Sequence, residues 1–335
     1  MGTSRLRMAQ YGTGHGHAGG KLQSMQQNPE IDFAGVFEPT AERRAAVAGR
    51  GVFADVRWFD SEAEMLADES IIAIAAEGRN DESLGQVEAI VAAGKHVWYD
   101  KPAGDDWAHA QRVFAAAKAG AIHIQMGYML RYHEAFRQVA DWARAGFLGD
   151  VFSVRAHMST FLPKEAQQII ADSHEGGILY DLSGHVLDQI LWILGRPEKV
   201  TSFLREDGAL VPGFKCNGLG VFEFAQAIAT VDIAARETRP MARRFEVYGT
   251  KGSAIVLEPF EPGTRIRLCL DEARGGFQEG EQIVELATRG RQQCYDAELV
   301  DFIAVVRDGQ APARDAEHEL LVQETILRVA GELRS

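Results

Sequence analysis

The stretch Leu6-Arg7-Met8-Ala9-Gln10-Tyr11-Gly12-Thr13-Gly14-His15-Gly16-His17 runs from a short apolar segment straight into a glycine-rich turn and then into a helical pattern. If the first segment is a strand, this is where a dinucleotide-binding turn must lie. Gly12 permits a tight turn and Gly14 lets the backbone approach a pyrophosphate, while the helix start offers unpaired N–H groups and a positive dipole end. The third small position is occupied by His17, which either pushes the helix outward or turns its ring toward the ligand. Gly12, Thr13, Gly14, His15, Gly16 and His17 are therefore expected to bind a dinucleotide cofactor.

Beyond this turn, the runs LRMAQY, DFAGVF, IIAIAA, HVWY and IHIQM alternate with helical patterns near 17–27, 40–49, 61–68, 83–93 and 106–118. That alternation predicts parallel βαβ units, and the weaker run VRWF would complete a six-stranded, doubly wound α/β sheet. We assign a Rossmann domain to residues 1–126. Its second strand ends in Phe37-Glu38-Pro39. Glu38 lies roughly 20 residues beyond the loop, where an acid accepts hydrogen bonds from ribose hydroxyls. This favours NAD as the cofactor. Arg43 and Arg44, one helical turn further on, are placed to attract a 2′-phosphate and leave NADP open.

After Met126 the βα alternation stops. A helix is predicted near 131–146, then strands in VFSVRAHM, KVTSFLR, GLGVFEF, AIATVDIAA, RRFEVYG, SAIVLE and RIRLCL. Glycine-containing gaps between several of them suit hairpins. One helix near 176–194 interrupts the strands, and two more, near 295–307 and 315–333, follow them. Residues 127–335 are thus expected to form an α+β domain with an open, mostly antiparallel sheet and helices on one face.

Composition narrows the function. A chain of 335 residues exceeds one ordinary core and suits two domains. A formal charge of −13 opposes contact with nucleic acid or anionic lipid. No apolar run is long enough to cross a bilayer and the start MGTSRLRM lacks a signal-peptide core, so a cytoplasmic protein is expected. Cys216, Cys269 and Cys294 are too far apart to suggest a disulfide framework or a zinc motif. The scattered His133, His157 and His174 give no metal spacing either.

Two motifs point to chemistry: Tyr99-Asp100-Lys101-Pro102 at the end of a buried strand, and Gly176-Gly177-Ile178-Leu179-Tyr180-Asp181-Leu182-Ser183-Gly184-His185-Val186-Leu187-Asp188. Oxidising a secondary alcohol needs a base for the hydroxyl proton, and histidine suits that task near neutral pH. Asp181 and His185 stand four apart on an expected helix and so share a face. A lysine close to the reacting oxygen would stabilise developing alkoxide.

Together these motifs resemble the glucose–fructose oxidoreductase, inositol dehydrogenase and rhizopine-catabolism (Gfo/Idh/MocA) family, over nearly the whole chain. Asp100-Lys101-Pro102 matches the family's Glu-Lys-Pro, and Asp181 and His185 match its Asp-x-x-x-His. The resemblance implies a nicotinamide held over the carboxyl ends of the first-domain strands against the second domain's sheet, and a cis Lys101–Pro102 bond. It also implies a sugar, cyclitol or similar polyhydroxylated substrate and a homodimer or homotetramer. His185 is then the expected general acid/base, Lys101 the orienting cation, though it is also a candidate to carry the proton, and Asp181 a substrate or relay group. Tyr128, Arg131, His157 and His174 are expected to join them in binding substrate, and Asn80, Asp100 and Lys101 to join the cofactor site. One departure stands out. The loop that often reads Thr-Pro-Asn-x-x-His in the family is Gly78-Arg79-Asn80-Asp81-Glu82-Ser83 here. Two other readings stay open: redox-assisted elimination or hydrolysis of a glycoside, and a non-catalytic dinucleotide-binding sensor.

Overall fold

The computed structural model describes residues 5–257, 259–261, 263, 265–287 and 290–333. The chain divides into two compact units, Met1–Gly127 with Tyr295–Leu320, and Tyr128–Cys294 with Leu321–Ser335. Where the sequence suggested one cut near residue 126, the segment Tyr295–Leu320 returns to the first unit.

The first unit runs β1 (Leu6–Tyr11), α1 (Ala18–Gln27), β2 (Ile31–Phe37), α2 (Ala41–Val47), α3 (Glu62–Ala67), β3 (Ala73–Ala76), α4 (Ser83–Ala92), β4 (His96–Tyr99), α5 (Trp107–Ala119) and β5 (Ile124–Met126). The strands form a parallel sheet in the order β2-β1-β3-β4-β5. Buried residues at every position of β3 fit a sheet covered on both faces. Leu6 and Met8 of β1 pack with Leu22 and Met25 of α1, and with Leu299, Phe302 and Ile303 from the returning segment. Each such side chain contributes about 1.5–3 kcal/mol on full burial. The expected sixth strand is absent among the described residues. The VRWF run makes only the isolated parallel bridge Val36↔Trp58, because just two residues, Arg57 and Phe59, exchange backbone hydrogen bonds with Val36.

The strand order turns back between β1 and β3. That is the switch point at which open α/β sheets bind ligands beyond their carboxyl ends.

The second unit contains α6 (Glu134–Arg144), β6 (Val151–His157), α7 (Lys164–Ser173), α8 (Gly177–Leu182), α9 (Gly184–Leu194), β7 (Lys199–Arg205), β8 (Asn217–Glu223), β9 (Ile228–Ala234), β10 (Arg244–Gly249), β11 (Gly252–Val256), β12 (Arg265–Leu270) and β13 (Gly280–Glu285). Two last helices, α10 (Arg291–Val306) and α11 (Ala316–Ala330), complete the chain's elements. The sheet order is β13-β12-β11-β10-β6-β9-β8-β7, antiparallel except for the β6–β9 pair. One face carries helices of the same unit. A Cβ on Gly218 would lie 2.5 Å from Leu179 of α8, and one on Gly220 would lie 2.6 Å from Val329 of α11. The other face leaves Phe203, Leu219 and Ile228 exposed.

Several elements differ from expectation. Strand β13, which has no buried residue, and helix α7, which buries only Gln167, were not expected from the sequence. The helix expected at 131–146 begins instead as a 3-10 turn, Met129–Tyr132, and restarts where His133 caps α6 by accepting from the Ala135 N–H. The helix expected at 176–194 is two helices, parted at Ser183.

Candidate functional site

The turn after β1 is built against the turn after β3. Gly12 has φ +87°, and a Cβ there would lie 2.7 Å from the Gly78 nitrogen, so only glycine fits. The His15 N–H donates to the Glu77 carbonyl at 2.9 Å. Over Gly16 a Cβ would meet nothing within 4 Å. Helix α1, which follows, has no side-chain cap and no acidic residue in its first turn. A positive helix end beside an open glycine backbone fits a pyrophosphate.

Glu38 stands at the end of β2, as the sequence required, but its carboxylate is fully engaged. Oε2 accepts from the Thr13 N–H and Oγ1–H, both at 2.7 Å. Oε1 accepts from the Thr40 N–H at 2.9 Å and Arg43 Nε at 3.0 Å. A carboxylate offers about four acceptor sites. A ribose hydroxyl must therefore replace one of these donors. Asn80 lies in the turn between β3 and α4, where its carbonyl accepts from Ser83 Oγ at 3.4 Å.

His17 turns its ring toward Asp100, with Nδ1 3.0 Å from Oδ2. His15 Nδ1 lies 3.2 Å from the same oxygen, and the Lys101 N–H donates to Asp100 Oδ1 at 2.8 Å. The Lys101–Pro102 bond is cis. Behind Asp100 sits the fully buried Lys21. Its Nζ is 3.5 Å from Asp100, 3.4 Å from Glu77 and 3.6 Å from Glu298, and 4.4 Å from the Trp98 ring centre. Trp98 Nε1 donates to Glu298 at 2.7 Å.

These charges set one another. Burial alone would lower the Lys21 pKa, but Asp100, Glu298 and Glu77 drive it up. Burial works to raise Asp100, and His15, His17 and Lys21 hold it well below the usual carboxylate range. Burial pushes Glu77 well up, against the pull of Lys21. The ligand-type atoms of His15, His17 and Asp100 lie within 4.8 Å of one another, a grouping invisible in the sequence spacing. Lys21 already provides the positive charge that a bound cation would bring to Asp100.

Burial lowers the His17 pKa to about 4 despite Asp100. The ring is neutral at pH 7, and because ionised Asp100 can only accept, we assign the proton to Nδ1. Its contribution to stability is complete above the unfolded value near 6.5 and is lost as pH falls toward about 4, amounting to about 3 kcal/mol. Urea denaturation from pH 7.5 to 4 is expected to show this loss in the natural protein and a shallower one in His17→Asn. Equal slopes would refute the assignment.

In the second unit, His185 is buried in α9, with its ring 6.4 Å from that of Tyr128 and perpendicular to it. A Cβ on Gly184 would lie 2.9 Å from the Tyr128 ring, so the glycine permits the approach. Arg131 stacks on Tyr128 at 5.0 Å and pairs with buried Asp188 at 2.8 Å, which ties down a side chain expected to meet substrate. Asp181 is half-buried near the end of α8, one helix before His185. His174 packs its ring 3.9 Å from that of Tyr180. His157 stands apart from this group. Its neighbour Ala156 is buried on the helix-covered side of the sheet, and His157 points to the other side, bound by Asp232 and Glu237. Those bonds raise its pKa, Asp232 first.

Lys101 thus belongs to the first unit, whereas Asp181 and His185 belong to the second. Sequence reasoning missed Lys21, Glu77 and Glu298. For Lys21 a signal existed: Ala18, Lys21, Leu22 and Met25 form the buried stripe of α1 at helical spacing. Gly127 makes room for it, since a Cβ there would lie 2.8 Å from Lys21 Nζ.

Compared with known proteins, residues 6–128 match the model of an oxidoreductase family with an NAD-binding Rossmann fold. Residues 136–255 match the GFO/IDH/MocA C-terminal domain. The chain belongs to the Gfo/Idh/MocA oxidoreductase family. Among its relatives is the rhizopine catabolism protein MocA of Rhizobium meliloti, 23% identical over 94% of this chain and 90% of that protein. The 1,5-anhydro-D-fructose reductase of Ensifer adhaerens is 25% identical over 67% of this chain and 68% of its own. An Agrobacterium radiobacter oxidoreductase, solved with NAD+, L-tartaric acid and magnesium, shares the fold with a TM-score of 0.82 at 16% identity. That alignment covers 96% of this chain and 94% of the other. Among the described residues of this Gfo/Idh/MocA chain, no helix is long and apolar enough to cross a membrane.

Proposed function

We propose that the chain is an NAD(P)-dependent dehydrogenase or reductase acting on a secondary alcohol or ketone of a sugar, cyclitol or related polyhydroxylated molecule. The observation that carries this reading is one hydrogen-bonded network. His15 and His17 of the glycine turn meet Asp100, and Asp100 holds the backbone N–H of Lys101, so the lysine's main chain is tied to the same scaffold as the glycine turn. A bound nicotinamide would supply the acceptor or donor of two electrons. Lys101 orients the substrate oxygen and stabilises negative charge on it, His185 exchanges the hydroxyl proton at a ring nitrogen, and Asp181 binds a neighbouring hydroxyl. Glu38, fixed by Thr13, Thr40 and Arg43, favours NAD because its charge repels a 2′-phosphate.

The test is to titrate the protein with NADH and NADPH, following nicotinamide fluorescence, and then to screen the oxidised cofactor against sugars and cyclitols. Saturable binding with substrate-dependent reduction is expected. His185→Ala should lose turnover by about 10²–10⁴-fold and keep cofactor affinity. Binding of neither cofactor, or full activity in His185→Ala, would overturn the reading or the assignment respectively.

A further inference from the structure

The loop Gly78–Ser83, where this chain departs from the family pattern, carries Glu82, which pairs with Arg43 of α2. Arg43 reaches from α2 between two acids. Its Nη1 and Nη2 donate to both oxygens of Glu82 at 2.8 and 2.7 Å, a bidentate pair, while Nε donates to Glu38 at 3.0 Å. Arg43 and Glu82 are 22% and 33% exposed, so the pair is open to water and able to part. Glu38 is buried and held by backbone N–H groups of two separate loops, so it stays where it is.

We propose that Glu82 is a specificity-determining residue, a latch that holds the Arg43 guanidinium and so keeps a 2′-phosphate from being accepted. The inference rests on the dinucleotide reading above. In Rossmann sites an arginine beside the ribose-binding acid accommodates the 2′-phosphate of NADP. Here that arginine is present, but all three nitrogens of its guanidinium already donate to carboxylates, and the best bidentate partner is Glu82. A 2′-phosphate must compete with Glu82 for the fork and also meets its negative charge. NAD makes no such demand, because its ribose carries only a hydroxyl at that position. Releasing Arg43 from Glu82 leaves it tethered to Glu38 through Nε and through Nη2, which is also 3.0 Å from Glu38 Oε1, with Nη1 freed for a phosphate oxygen.

The experiment is a double-mutant cycle on the full chain, read as separate NADPH and NADH affinities for the natural protein, Glu82→Gln, Arg43→Ala and the double variant. Glu82→Gln is expected to tighten NADPH roughly tenfold and to leave NADH within about twofold. In the Arg43→Ala background the same change should alter NADPH affinity by less than about threefold. Equal gains for both cofactors would overturn the latch. So would an undiminished NADPH gain without Arg43, since that would be removal of repulsion alone. A natural protein that binds neither cofactor would fail the dinucleotide reading first, and the latch with it.

Discussion

Lys101→Met is expected to lower kcat by about 10³-fold or more while NADH affinity changes by less than about threefold. The substitution keeps the length and apolar stem of a side chain that is only 4% exposed and removes the ammonium alone. The backbone amide of residue 101 would still bind Asp100 Oδ1, so the glycine turn and its histidines keep their support. Stopped-flow measurement of substrate-dependent nicotinamide absorbance separates the two effects. Undiminished turnover would remove Lys101 from the chemistry, and a loss of cofactor affinity equal to the loss of kcat would make it a binding residue only.

Lys21→Met is expected to cost about 3–5 kcal/mol of folding stability, among the largest effects of any single change in the first unit. The lysine has no access to water, and its loss leaves Asp100 and Glu298 buried without their cation. Glu77→Gln is the informative contrast. Burial already pushes that carboxyl toward its neutral form, so an amide of the same shape should change stability by less than about 1 kcal/mol. Urea midpoints for the two variants test the pair. A Lys21→Met protein within about 1 kcal/mol of the natural one would mean that the cluster is held by packing rather than charge.

The parts of this molecule that were legible in sequence are those fixed by local rules. Gly12 and Gly14 announce a turn whose backbone conformation and clearance exclude side chains, and the βα alternation up to Met126 announces the parallel sheet. Parity along β6 also carries the orientation of His157: alternation with buried Val154 and Ala156 sends it to the face away from α8 and α9, where it meets Asp232 and Glu237. The Asp181 and His185 spacing suggested one helix, and the chain forms two that meet at Ser183, whose own backbone stays helical with its N–H donating to the Leu179 carbonyl. The Lys21 cluster was not legible as a cluster, because its carboxylates come from positions 77, 100 and 298 and meet only after folding. Likewise nothing local reveals that Arg43 and Glu82, 39 residues apart, share a bidentate contact.

The return of Tyr295–Leu320 to the first unit has a consequence for synthesis. A nascent chain that has emerged only as far as residue 294 contains every strand of the nucleotide-binding sheet, yet lacks Glu298, the acceptor for Trp98 and a counter-ion of Lys21. It also lacks Leu299, Phe302 and Ile303, which close one side of that sheet's core. Domains made of one continuous segment can finish folding while the ribosome is still adding the next. This one cannot. The strands between Leu6 and Met126 wait on Tyr295–Leu320, so the second unit's sheet is fully translated before the first unit has all its parts.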